Sequence, residues 1–329
     1  MSFMGFILLS SCNSYSDNLN IDISKIQVNL TFDRMEQDLF DRTKDPKLKH
    51  QQLLSKYDLL YESFFAEMIR AGNPYTPEAP DILNAFVHDT YIQSIIKAVN
   101  AEFKDFTPYE IKLTKAFKHF KYYFPDSNLP TITTFFSYFN SNVFETDDRL
   151  GIGLDMYLGK NNSIVEKLPG DLTPQYLKNK MENKFLVSNA MYGFLHNRFF
   201  NPTGNDFISI IIEKGRVLYL LKAMLPETPD HILMCYSKND LQWCYKNEIK
   251  VWEHLVDQQL IYSKDTKIIT DFTSDGPFTR GLDNSPARVG EWLGYQIVND
   301  YVKEYNIEVL DLLKEKNARN ILKSYNPNE

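Results

Sequence analysis

Histidines, cysteines and carboxylates at particular spacings are the first place to look for chemistry, and this chain has six histidines: His50, His88, His119, His196, His231 and His254. They are followed by Gln51, Asp89, Phe120, Asn197, Ile232 and Leu255, so none opens an HExxH helix. That helix sets two His ligands one turn apart on a zinc, with a Glu between them to take a proton from the bound water. No two histidines here stand four apart, and the inverted HxxEH order is missing too. The chain also has no GxSxG elbow, Walker P-loop or GxGxxG turn. Acyl transfer, nucleotide hydrolysis and dinucleotide binding therefore lose their usual sequence support.

Two other places stand out. Glu213 has Ile210 three residues before it, Val217 four after and Leu220 seven after, which aims its carboxylate along the apolar face of a helix. A carboxylate so placed needs a partner. Arg198 and His196 are the candidates, on a preceding helix that returns through Asn201-Pro202-Thr203-Gly204. A structural ion pair is the first reading and a ligand or proton-transfer site the second. The other place is Ser285-Pro286-Ala287-Arg288-Val289-Gly290-Glu291-Trp292-Leu293-Gly294-Tyr295-Gln296-Ile297-Val298. Gly290 and Gly294, four apart, let a neighbouring backbone come close, while Val289, Trp292, Leu293 and Ile297 form a core stripe. Arg288, near the helix start, is placed to serve an anionic partner.

The first twelve residues, MSFMGFILLSSC, read as a lipoprotein signal: residues 3–9 are an apolar run, Ser10 and Ser11 are the small residues before the cut, and Cys12 takes the lipid. No Lys or Arg precedes the run. It is far shorter than the roughly 20 apolar residues that span a bilayer. Several acyl chains, at about 0.8 kcal/mol per buried methylene, hold a protein on a membrane where one chain is marginal. Residues 1–11 are thus expected as a signal peptide, 12–24 as a polar linker and 25–329 as one globular domain. Cys235 and Cys244 fit no CxxC pattern, and Cys244 is expected as a buried free thiol.

A hydrophobic content of 43% in 329 residues is enough for a substantial core. The net charge of −7 is not gathered into blocks, which argues against nucleic acid and against charge-driven attachment to an anionic membrane. Abundant Phe and Tyr with scarce Gly (23, 20 and 13) favour packed helices over loop-rich or repetitive architectures.

The elements that must position these residues follow from periodicity. Residues 25–32 alternate as a half-buried strand, and residues 34–123 have helical period, as three or four helices broken at Gly72-Asn73-Pro74 and Thr107-Pro108. Residues 131–138, 143–146 and 150–158 read as strands. Helices are expected over 173–200, 206–224, 238–260 and 286–305, with Ser237 and Ser285 as N-caps. The class is α+β, mostly α-helical, with a small central β-sheet and helices before and after.

Four strings carry a resemblance: Gly151-Ile152-Gly153-Leu154-Asp155-Met156-Tyr157-Leu158-Gly159; Leu172-Thr173-Pro174-Gln175-Tyr176-Leu177; Ala223-Met224-Leu225-Pro226-Glu227-Thr228-Pro229-Asp230; and the 285–298 run. With the lipobox, they resemble the gliding-motility lipoprotein GldB family of Bacteroidetes over nearly the whole chain. The resemblance implies an extracytoplasmic protein of the cell envelope, anchored by lipid to an inner or outer membrane and facing the periplasm. Its partners would be other proteins of the gliding apparatus and the associated type IX secretion machinery, with no nucleic acid, no cofactor and no assigned catalysis.

A fainter similarity is to zincin-like peptidases. The matching segments read His196-Asn197-Arg198-Phe199-Phe200, Glu213-Lys214-Gly215 and residues 286–295. Asn197 stands where the general base belongs and Phe200 where the second His belongs, so His196 and Glu213 would be remnants of an ancestral metal site on a degenerate zincin-like scaffold. One His and one carboxylate are fewer than the three protein ligands of a catalytic zinc. Three expectations follow: a non-enzymatic lipoprotein acting through protein contacts; an envelope zinc metallopeptidase with an atypical ligand set; and a binding protein using aromatic surface for glycan or lipid.

Overall fold

The computed structural model describes residue 19 and residues 21–327. The signal peptide and the Cys12 lipidation site lie outside the described residues. Leu19 and Ile21, within the stretch expected as linker, rest on the core.

Of the alternating run at 25–32, only the end enters the sheet. Strand β1 spans Phe32–Arg34 and pairs in parallel with β2 (Thr131–Phe135), Phe32 opposite Ile132. The position on β2 before Thr131 is Pro130, which has no N–H to give a ladder. The pairing therefore stops there although the hydrophobic pattern continues. Strand β3 (Val143–Glu145) and strand β4 (Arg149–Gly153) form a hairpin, and β4 slots in parallel beside β2, giving the order β1-β2-β4-β3. The strand expected over 150–158 ends at Gly153 and tightens into a 3-10 turn, Leu154–Tyr157. Buried Asp155 explains the change, because its carboxylate gathers the backbone N–H groups of Ser137 and Phe139 and the Ser137 hydroxyl.

Among the described residues, five α-helices, where three or four were expected, fill the first half: α1 (Met35–Phe40), α2 (Pro46–Ser63), which runs on into a π-helical turn at Phe64–Met68, α3 (Ala79–His88), α4 (Thr90–Glu102) and α5 (Thr107–Tyr123). The expected breaks hold, with Gly72-Asn73-Pro74 between α2 and α3 and Thr107 opening α5. After the sheet come the short α6 (Ser163–Glu166) and α7 (Gln175–Lys178), then α8 (Leu186–Phe199) and α9 (Phe207–Met224). The single helix expected over 173–200 is broken because residues 180–182 are drawn out to meet the chain after the sheet: Leu158 bridges Glu182, and Gly159 N–H donates to Met181 O at 2.6 Å. Asp206 caps α9 through Ser209 N–H.

Beyond a one-turn α10 (Asp230–Leu233), the helix expected over 238–260 is two, α11 (Lys238–Lys246) and α12 (Glu248–Asp257), parted at Asn247. There the Asn247 side chain bonds back to Trp243 O at 2.8 Å, a local bond that competes with helix propagation. Ser237 does cap α11, in a reciprocal box with Asp240. The chain finishes with α13 (Thr266–Thr273), α14 (Val289–Tyr305), α15 (Val309–Leu312) and α16 (Ala318–Leu322). Helix α14 starts three residues later than expected. Ser285 is not its cap, because Thr279 N–H donates to Ser285 Oγ and the Thr279 hydroxyl donates to Pro286 O.

The layers run from the sheet through α8 to α9 and then α14. A methyl added at Gly294 would fall 1.8 Å from Ile211 O, and one at Gly215 2.2 Å from the Gly294 carbonyl carbon. The backbones of α9 and α14 therefore touch, as the glycine spacing predicts. The result is a mostly helical α+β fold with a small mixed sheet.

Candidate functional site

The layering opens a cleft of about 580 Å³ between the free edge of β3, one face of α8 and the beginning of α14. Helix α8 lies tight on β3: a methyl on Gly193 would meet Val143 Cγ1 at 2.7 Å. That approach brings Asn189, Tyr192, His196 and Asn197 of α8 to the cleft wall, facing Val143 and Glu145 of β3. Contact of α9 with α14 carries Lys214 to the same space, opposite Arg288 and Glu291. Arg288 is the residue before α14, held at φ 62° in the left-handed region by the Ser285–Thr279 bonds that delay the helix. Asp275, between α13 and α14, and Lys180, after α7, complete the group.

These charges form a chain. Lys214 Nζ reaches Glu291 Oε1 at 2.6 Å, Arg288 Nε donates to Glu291 Oε2 at 2.8 Å, Arg288 Nη1 lies 3.6 Å from Asp275 Oδ1, and Asp275 also pairs with Lys180. Burial pushes the Glu291 carboxyl up, but Arg288 and Lys214 outweigh it and hold it below its ordinary value. Burial acts against the charge of Arg288 too, yet Glu291 and Asp275 hold its pKa well above the ordinary value. In this chain of charges three cations face two carboxylates, and Glu145 at the β3 edge brings the charged lining to three of each sign. At the β3 edge, Glu145 is held by Arg198 and by Asn197 Nδ2 at 2.9 Å. The arrangement can take a polar group from a partner; its own acids and bases are engaged with one another.

Of the two residues read as remnants of a metal site, only His196 lines the cleft. His196 lies in the cleft wall with its ring stacked on Phe200, centroids 4.5 Å apart and planes 12° apart. Burial and then Lys214 push its pKa down, which makes it neutral near pH 7. Glu213 is not a cleft residue: its oxygens accept from Arg216 Nη1 at 2.9 Å and Asn201 N–H at 3.1 Å. The partner expected for it was Arg198 or His196. Arg216 takes that place because, three residues on, it shares the helix face, while Arg198 is drawn to Glu145. Among the described residues no three His, Cys, Asp or Glu side chains stand close enough to hold a metal ion. Cys235 and Cys244 are both free and buried. Lys180, Asp275 and Asn189 were missed in the sequence; no motif joins them, only the fold.

Compared with known protein families, residues 16–327 match the model for gliding motility protein GldB. The chain belongs to the GldB family. The resemblance carried by the four strings thus holds over nearly the whole chain, and the protein is a gliding motility protein. The GldB match takes in the cleft, α8 and α9, while Cys12 precedes it. No curated protein and no solved structure matches the chain. Among the described residues, no helix is long and apolar enough to cross a membrane.

Proposed function

We propose that this GldB family member is held on a membrane of the cell envelope by lipid on Cys12, faces the periplasm, and works in the gliding apparatus and its associated type IX secretion machinery through protein contacts without catalysis. The family match carries this reading. It is supported by the self-paired state of the cleft, where Lys214, Glu291, Arg288 and Asp275 spend their charge on each other, and by Glu213, whose two oxygens are taken by Arg216 and Asn201. A group so engaged is not a free base.

Leu172 lines the cleft with 76% of its surface exposed, which makes it the place to install a photo-crosslinking residue in gliding cells. Adducts to proteins of the motility or secretion machinery are expected; illumination that yields no protein adduct overturns the contact reading. Metal analysis of the purified protein separates the metallopeptidase alternative. Stoichiometric zinc that disappears in His196→Ala, or chelator-sensitive peptide cleavage, would replace contact with hydrolysis.

A further inference from the structure

A second groove, of about 680 Å³, lies away from the cleft, between α5, the start of α8 and the turn from α9 to α10. That turn is the Ala223–Asp230 string, whose role the cleft leaves unexplained. Tyr109, Val187, Met224, Leu225, Pro226 and Ile232 give the groove apolar walls. Its volume is that of a small-molecule site, which pairs apolar walls with a few placed polar groups.

The polar groups here are mainly donors. Lys112, Lys115 and His119 succeed one another along one face of α5. Lys112 and Lys184 have no carboxylate within ion-pair distance among the described residues; Lys184 rests over the Phe185 ring at 4.9 Å. Lys115 bonds Glu227 at 2.6 Å, but the two side chains are 47% and 71% exposed, so the pair is cheaply exchanged. Glu102 and Asp105, the other acids on the groove, already accept from Asn183 Nδ2 and Thr107 N–H. His119 is the decisive residue: it is 1% exposed, lines the groove, and its Nδ1 has no hydrogen-bond partner among the described residues. A buried ring nitrogen left without a partner costs on the order of 1–3 kcal/mol, which a ligand's polar group would recover.

We propose that this groove binds a small amphipathic monocarboxylate, its apolar chain against Tyr109, Met224 and Ile232 and its carboxyl group among His119, Lys115 and Lys112. The site is independent of the contact reading of the cleft.

Decanoate and decanol are the probes, titrated calorimetrically into the purified protein below their aggregation limits. Decanoate should bind at one site, and decanol at least tenfold more weakly. In the surface double variant Lys112→Glu with Lys115→Glu, decanoate affinity should fall at least tenfold at an unchanged melting temperature; His119→Phe should weaken binding in the same direction. Equal decanoate affinity in wild type and double variant overturns the proposal, as does decanol binding as tightly as decanoate. Displacement of decanoate by phosphatidylcholine vesicles would assign the groove to an esterified acyl chain and overturn the carboxylate.

Discussion

Glu213 and Arg216 are buried together, with side-chain exposures of 6% and 4%, and Arg216 also donates to the carbonyls of Leu312 and Leu313. Removing one ion of such a pair strands the other, so Glu213→Leu should cost about 3–5 kcal/mol in urea unfolding, while adding Arg216→Met should return only part of the loss, because the Leu312 and Leu313 carbonyls then lose their donor. A single variant as stable as wild type would mean that the pair does not form. That Glu213 needed a partner was legible, because its neighbours at helical spacing are apolar; which partner was not, because the choice depends on where Glu145 lies. Asp155 makes the second prediction. Burial pushes its pKa up to about 6 against several donated hydrogen bonds. The folded state therefore holds a proton that the unfolded chain, with an ordinary aspartate pKa, gives up at lower pH. Its contribution is full below about pH 4 and is lost as pH rises to about 6, on the order of 3 kcal/mol. Asp155→Asn should flatten stability across that window, which denaturant unfolding at a series of pH values will measure.

At the scale of elements, the tightest constraint is the meeting of α9 and α14. The atoms facing Gly294 are backbone, which cannot rotate aside, so Gly294→Ala should destabilise by roughly 3 kcal/mol or more, and Gly294→Leu further. An unchanged thermal midpoint would contradict the close approach. This contact was legible from two glycines four apart beside a core stripe. The expected cap Ser237 holds because capping is a local bond between neighbours in the chain. Ser285 has the same local pattern but is claimed by Thr279 across a loop, and the alternating residues 26–31 lose their ladder at Pro130. In each case a distant or partner residue decided the outcome, and periodicity does not see partners.

For the whole molecule, Cys12→Ser should shift the protein from the membrane to the soluble fraction with its melting temperature unchanged; persistence in the membrane fraction would show that something other than lipid holds it. Class and family were legible because long strings and helical periods survive in one dimension. The cleft was not, since Lys180, Lys214, Asp275 and Arg288 come from four separate stretches that only the folded chain gathers. The position of β1 has a mechanical consequence. After packing Leu19 and Ile21 on the core, the chain runs into a strand laid parallel to β2, with Ile132 N–H bonded to Thr31 O at 2.9 Å and Arg149 Nη1 bonded to Asp33 at 2.9 Å. Tension drawn along that strand from its N-terminal side would strain these rungs together instead of unzipping them singly, so a body pulled by its leading end resists as a unit, which suits a part of a machine that moves cells.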